Sequence, residues 1–440
     1  MSFPRYPKYK DSGVEWLGQV PEHWQVLPCR AIVHERTAKN DGAVCQDYLS
    51  LMANVGIIPY AEKGDVGNKK PEDLTKCKIV TRGDFVINSM NYGIGSYGLS
   101  DYDGVCSPVY IVLKPQNDVV ESRFAFRVFQ NRAFQTFAQS FGNGILEHRC
   151  SINWDILKPI GVSVPPKDEQ QAILEFLDRE TAKIDELVHE QERLMALLKE
   201  KRQAVISHAV TKGLNPTAPM KPSGIEWLGD IPAHWVEYPL RALLALKHGY
   251  AFDSEVFSDS GEYVLMTPGN FNESGGFRSK IPEKFYAATD FPPEFILQSG
   301  DMLVAMTEQA PGLLGSALFV PVGATYLHNQ RLGKVHNLRR DKVDERFLFH
   351  LFNSCRYRAE VCISSTGAKV KHTSPHKILS VKILLPPSSE QTEIARFLDE
   401  EIAKTDTLES EAQRAIDLLQ ERRTALISAA VTGQIDIRTK

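Results

Sequence analysis

Gly93–Gly98, GIGSYG, satisfies Gly-x-Gly-x-x-Gly, which cradles a phosphate when it joins a strand to the N-terminus of a helix. Here LSDYDGVCSPVYIV follows, rich in turn residues and without helical period, so the stretch reads as a glycine-rich recognition loop. No Gly-x-x-x-x-Gly-Lys-Ser/Thr segment occurs, so no ATP is expected on the chain. His23-Trp24 and His234-Trp235 lack a nearby Ser or Cys nucleophile in both copies and read as aromatic packing plugs. His148, His328, His336, His372 and His376 show no metal-ligand spacing that recurs along the chain. Asp84 and Asp301 each follow a glycine and read as turn residues entering a strand. The expectation is a chain with no catalytic and no metal site.

Loop-borne basic, amide and aromatic residues point to a different chemistry. AEKGDVGNKK offers Lys63, Lys69 and Lys70, SMNYGIGSYG offers Asn91 and Tyr92, and GNGILEHRCS offers His148 and Arg149. Further on, ESGGFRSK gives Arg278 and Lys280, MTEQAPG gives Gln309, and LHNQRLGK gives Asn329, Gln330 and Arg331. STGAKVKHTS gives Lys369, Lys371 and His372. Arg, Asn and Gln can bond base edges through two atoms at once, and Lys holds phosphates, so these are the candidate DNA-binding residues.

The elements that must position them are duplicated. SGVEWLGQVPEHW at Ser12–Trp24 returns as SGIEWLGDIPAHW at Ser223–Trp235. PPKDEQQAILEFLDRETAKIDEL from Pro165 returns as PPSSEQTEIARFLDEEIAKTDTL from Pro386, an offset of 221 residues. LLKEKRQAVISHAVT from Leu197 returns from Leu418 at the same offset as LLQERRTALISAAVT. The repeated phrase is therefore a domain-start marker rather than an active-site motif. Between the repeats, KIVTRGDFVINS and FILQSGDMLVAM read as strands around Gly-Asp, followed by RFAFRVFQNRAFQTFAQ and RFLFHLFNSCRYRAEVC as helices. The class is α+β, with two mixed α/β domains whose frames repeat and whose inserts have diverged.

Each long charged segment reads as one helix, preceded by a double Pro and followed by Gly213 or Gly433. About 40 residues at 1.5 Å each gives a rod of roughly 60 Å. Ile173, Leu177, Ile184, Leu187, Leu194, Leu198 and Val205 alternate in fours and threes, the seam of a coiled coil. Ile394, Leu398, Leu408, Leu419 and Leu426 repeat that frame, with Ala412 and Ala415 as fillers. Glu180 and Glu401 occupy one seam position, and Lys201 and Arg422 another three heptads later. In an antiparallel pair Glu180 approaches Arg422 and Glu401 approaches Lys201, which would fix register; the alternative is that these charges snorkel to solvent.

Charge follows the same division. Residues 167–212 and 390–423 together hold −7 of a net −4, leaving the rest at +3. No apolar stretch approaches the roughly 18 residues that span a bilayer, and no signal core opens the chain. Seven scattered cysteines without a Cys-x-x-Cys pair suggest a cytoplasmic protein with reduced thiols.

The duplicated phrase, PPKDEQQAILEFLD with PPSSEQTEIARFLD, and the closing ISHAVTKG and ISAAVTGQ resemble the DNA-specificity subunit of type I restriction–modification systems. The resemblance covers essentially the whole chain in order. It implies two target-recognition domains, 1–165 and 214–386, at opposite ends of an antiparallel pair of spacer helices, 166–213 and 387–434, with pseudo-two-fold symmetry and a tail at 435–440. It implies double-stranded DNA, two methyltransferase subunits and motor–nuclease subunits as partners, with S-adenosylmethionine (AdoMet), ATP and magnesium held by those subunits. Two alternatives stand beside it: a fused restriction or methylation enzyme with its own active site, and a protein-only coiled-coil scaffold.

Overall fold

In the computed structural model, residues 3–65, 69–142, 151–272, 275–278, 284–288, 290–308, 312–367 and 370–438 are described. The chain divides into two units, residues 1–190 with 414–440 and residues 191–413. Among the described residues there are eight α-helices: α1 Ser122–Gln130, α2 Arg132–Ser140, α3 Trp154–Leu157, α4 Lys167–Lys212, α5 Glu345–Phe352, α6 Cys355–Ile363, α7 Pro375–Ser380 and α8 Ser388–Val431.

In the first unit the opening phrase folds on itself, Tyr9–Asp11 pairing antiparallel with Gln19–Pro21. Trp24 is fully buried against Tyr6, the rings 5.8 Å apart edge to face. A four-stranded antiparallel sheet runs in the order Val33–Glu35, Tyr110–Pro115, Phe85–Asn88, Tyr97–Leu99. Phe85, Phe124, Phe129 and Phe134 join this sheet to α1 and α2 in one core. Truncating any such ring to Ala costs about 3–5 kcal/mol.

The second unit repeats the arrangement. Met220–Pro222 pairs with Asp230–Pro232, and Trp235 is buried. Its sheet orders Ala245–His248, Leu332–His336, Met302–Ala305 and Ala317–Phe319 in the same sequence of positions. Asn153 caps α3 and Ser374 caps α7, 221 residues apart. What differs is added onto the frame. The first unit carries a hairpin of Leu49–Met52 and Gly56–Pro59. The second carries a further four-stranded sheet in which Tyr263–Met266 and Thr325–His328 run parallel.

The first half of α4 packs with the last part of α8 in one unit, and their remaining parts pack together in the other, so the helices run antiparallel. Each ends on a glycine in the left-handed region, Gly213 at φ +74 and Gly433 at φ +71. A Cβ at Gly433 would collide with Pro21 and lie 3.1 Å from Trp24, so each helix end is seated on the tryptophan of an opening phrase.

The heptad seam needs correction. Leu187, Leu194 and Leu408 are 50%, 41% and 47% exposed. The inward line on α4 is instead Ile173, Leu177, Thr181, Ile184, Val188, Gln191, Met195, Leu198, Arg202, Ile206 and Ala209, all buried or half-buried. On α8 it is Ile394, Leu398, Ile402, Thr405, Glu409, Ala412, Ile416, Leu419, Arg423, Ile427 and Ala430, the same positions 221 residues on. Each line advances 36 residues in ten steps, 3.6 per step. That is the period of a straight helix, which drifts about 20° per heptad from a strict seven-residue repeat. By the second heptad the buried face has moved one residue, from Glu180 to Thr181 and from Leu187 to Val188.

Candidate nucleic-acid interface

In both units a strand of the central sheet receives a backbone bond just beyond its end. Following GNGILEHRCS, the Ile152 N–H donates to Ser89 O at 3.0 Å; near the end of STGAKVKHTS, the Thr373 N–H donates to Met306 O at 2.9 Å. The Met306 N–H donates to Arg331 O at 3.0 Å, and Thr307 pairs with His372, 3.0 Å from Oγ1 to Nδ1. In the second unit the strand end thus gathers Arg331, Lys371 and His372.

The candidate residues divide by exposure. Lys69, Lys70, Arg278, Gln330, Arg331 and His372 are exposed, with Lys70 Nζ 3.2 Å from Gln46 O. Lys371 is half-buried, its Nζ 2.7 Å from Cys362 Sγ. Lys63 is buried, 4.9 Å over the Tyr60 ring, and Asn329 is buried with Oδ1 accepting from the Arg331 N–H at 2.9 Å. Asn91 is half-buried and its carbonyl accepts from Ile94 and Ser96. Tyr92 packs in the core, its hydroxyl donating to Phe129 O, and burial raises its pKa well above the usual tyrosine value. His148, Arg149, Lys280, Gln309 and Lys369 lie outside the described residues.

GIGSYG leads through a turn with Gly95 at φ +88 into the strand Tyr97–Leu99, with no helix to face a phosphate. Beside it, a cleft of about 1140 Å³ carries Arg127, Arg132 and Arg423 on its wall. Burial and then the charge of Arg423 lower the pKa of Arg127. His328 is buried, Nε2 3.0 Å from Leu332 O, and burial pushes its pKa down to about 4, so it adds no positive charge near neutrality. Among the described residues no group of three or more His, Cys, Asp or Glu is placed to hold a metal. Nor, among them, is any helix long and apolar enough to cross a membrane.

Sequence reading missed the residues that hold each domain to its helices. Glu169 is buried in the first turn of α4, with His23 Nε2 2.8 Å from Oε2 and the Tyr6 hydroxyl donating to Oε1. Glu390 stands likewise in α8, with His234 Nε2 at 2.7 Å and the Trp235 indole N–H at 3.1 Å. A carboxylate there also suits the positive end of the helix dipole. Asp178 takes Arg123 at 2.7 Å and Arg127 at 3.4 Å; Asp399 takes Arg346 at 2.6 Å and His350 at 2.9 Å. The signal was present: each of these carboxylates recurs at the 221-residue offset.

The four charges proposed for helix register lie one residue off the inward line or beside it. Glu180 Oε1 holds Lys183 at 2.9 Å and Arg179 at 3.3 Å on its own helix, and Glu401 holds Lys404 at 2.6 Å. Lys201 and Arg422 are exposed. Across the helices Asp185 pairs with Arg423 at 3.1 Å and Arg202 with Asp406, and the charge of Lys201 is felt by Glu401, as an antiparallel pair predicts.

Comparison with known proteins agrees with this architecture. The family model described as Type I restriction modification DNA specificity domain matches residues 45–194 and again 232–418. The chain is 22% identical over 433 residues to the type I restriction enzyme MjaVIII specificity subunit of Methanocaldococcus jannaschii, covering 96% of this chain and 95% of that one. It is 25% identical over 453 residues to the EcoKI specificity subunit of Escherichia coli K12, covering 95% and 90%. A solved structure described as the basis of complex assembly and conformational transition of the type I R-M system superposes with a TM-score of 0.68 at 14% identity. It covers 94% of this chain and 98% of that one. With its two matched domains and its paired long helices, the chain belongs to the type I restriction–modification DNA specificity subunits, the non-catalytic component of those systems.

Proposed function

We propose that the chain reads an asymmetric, two-part DNA target, one half-site per domain, for a complex whose methyltransferase and motor–nuclease subunits supply the reactions. The observation carrying this reading is the repeated frame with unlike additions: one sheet order twice, with a hairpin in the first unit and an extra sheet in the second. Identical frames would support two readers, and unlike inserts give them unlike half-sites. The domains are assigned to residues 1–165 and 214–386, the helices to 166–213 and 387–434, and the tail to 435–440.

Base and phosphate contacts are assigned to exposed Lys69, Lys70, Arg278, Gln330, Arg331 and His372, joined by His148, Arg149, Lys280, Gln309 and Lys369. Each phosphate contact makes affinity fall with rising salt. The helix pair sets the unread spacer to on the order of one DNA turn. Two methyltransferase subunits dock on its outer face, where Leu197 and Leu418 are exposed at equivalent positions. AdoMet, ATP and magnesium belong to the partner subunits.

The test is to map methylated adenines in the host genome with and without this gene, then exchange residues 25–165 for the insert of another family member. One half of the methylated motif changes and the other stays. A change in both halves, or none, overturns the assignment.

A further inference from the structure

The cleft beside GIGSYG lies wholly within the first unit, among the hairpin of Leu49–Met52 and Gly56–Pro59, the loop at 93–98 and the adjoining turns of α4 and α8. Its glycines serve packing. The Asn54 N–H at the hairpin tip donates to Gly95 O at 3.0 Å, and a Cβ at Gly98 would lie 2.7 Å from Gly56 Cα. The cleft must therefore bind through side chains. Arg127, Arg132 and Arg423 line it from α1, α2 and α8, with Gln130, Gln420 and Thr424 beside them.

These arginines outnumber the acids around them, since Asp101 and Asp185 are the carboxylates on the same wall. Arg423 pairs with Asp185 at 3.1 Å. Arg127 reaches Asp178 at 3.4 Å, but that carboxylate already holds Arg123 at 2.7 Å. Arg132 is exposed and has no carboxylate at ion-pair distance among the described residues; its guanidinium donates to Gly93 O. Arg127 and Arg423 also repel each other, a strain that a bound anion would relieve. The second unit differs at both places. There His350 takes Asp399 where Arg127 takes Asp178, and Cys355 follows the capping Ser354 where Arg132 follows the capping Asn131.

We propose that Arg132, backed by Arg127 and Arg423, binds a backbone phosphate of the DNA at the half-site read by the first unit. The assignment deepens the reading given under Proposed function and rests on it. A guanidinium presents a planar fork to two phosphate oxygens at once. A DNA phosphate fits better than a free anion because the cleft adjoins the hairpin added to this unit. Ser89, which bonds the Ile152 that follows GNGILEHRCS, also stands four residues before Gly93. A strand read by those segments carries its phosphates past Arg132. Such a contact holds the duplex in place without reading it.

The experiment uses the full chain with its methyltransferase subunits and DNA carrying the genome-mapped target, with affinity measured against salt. In R132Q the slope of log K against log salt should fall by about 0.9, alike on target and non-target DNA, while the methylated motif stays the same. R132K, which keeps the charge, keeps the slope. Each phosphate of the first half-site and its flanks is then replaced in turn by an uncharged methylphosphonate. One replacement should weaken the unaltered complex about tenfold and R132Q no further. An unchanged slope, a penalty as large in R132Q at every position, or an altered motif overturns the phosphate assignment alone. So does a thermal midpoint that inorganic phosphate raises in the unaltered chain but not in R132Q while the DNA slope is unchanged, which would make the ligand a free anion. An unaltered complex with no sequence preference overturns the functional reading and the assignment with it.

Discussion

Gln170 accepts a hydrogen bond from the backbone N–H of Glu121 at 2.8 Å, and Gln391, 221 residues later, accepts one from Asp344 at 2.7 Å. Each amide also donates to a carbonyl of the segment before its domain helix, Val119 O or Lys342 O, and to the proline two residues before its own helix begins, Pro165 O or Pro386 O. One side chain thus ties the start of a long helix to the entry of α1 or α5. Both are almost wholly buried.

Replacing Gln170 or Gln391 by Ala strands several buried backbone groups, each worth about 1–3 kcal/mol, so a loss of at least roughly 2 kcal/mol is expected. Q170E is the sharper probe. Its carboxylate still accepts from Glu121 but cannot donate to Val119 O or Pro165 O, and it would be buried as a charge. Urea unfolding should place Q170E no higher than Q170A. A Q170E protein as stable as the unaltered chain would show that the donated bonds contribute nothing.

Residues 434–438 close the first unit, at the other end of the sequence from its opening phrase. Gln434 Nε2 donates to Gln19 O at 2.9 Å, the Asp436 N–H to Pro4 O at 2.7 Å, and Arg438 grips Asp436 while covering Tyr6 at 4.8 Å. Truncation after Gly433 removes two such bonds at about 1 kcal/mol each. Hydrogen exchange should rise around Tyr6 and Trp24 and stay unchanged around Trp235. The bond from Arg438 holds the Asp436 carboxyl below the usual carboxylate range. Its contribution is therefore full above that range and lost as pH falls through the depressed value, and D436N should mimic the acid state near neutrality.

His328 makes the second unit sensitive to mild acid. Its folded pKa of about 4 lies below the ordinary imidazole value, so between the two the unfolded chain binds the proton and the folded chain does not. Stability falls as pH drops from roughly 6.5 to about 4, by up to about 3 kcal/mol, and levels off below. Thermal midpoints measured across that window should show the slope in the unaltered chain and lose it in H328Q. The Nε2 contact to Leu332 O explains why Gln, which can still donate, is the suitable replacement.

The duplicated frame was legible because its residues recur with their spacing: Trp24 with Trp235, the double prolines, Gly213 with Gly433. The seam was misread by one residue, since Leu187, Leu194 and Leu408 satisfy a seven-residue repeat that a straight helix does not follow. The expected register charges Glu180, Lys201, Glu401 and Arg422 lie one residue beside that line, with Arg202 and Arg423 on it. Tyr92 and Asn329 looked like reading residues by type, but side-chain type does not reveal burial. Nothing local marks the carboxylates Glu169 and Asp178, because their partners, His23 and Arg123, lie far away in sequence.

The exposed leucines give the last test. Leu187 and Leu408 are equivalent, as are Leu197 and Leu418, all between 47% and 55% exposed on helices otherwise covered in charge. Two helices of 3.6 period bury one line between them and leave these residues outward, so the proposed methyltransferase subunits are what would cover them. Fully burying a leucine contributes about 1.5–3 kcal/mol. L197E/L418E should therefore leave the thermal midpoint within a few degrees while weakening subunit association at least about tenfold, measured by sedimentation with the purified partner. Association unchanged by both charges would mean that the subunits dock elsewhere on the chain.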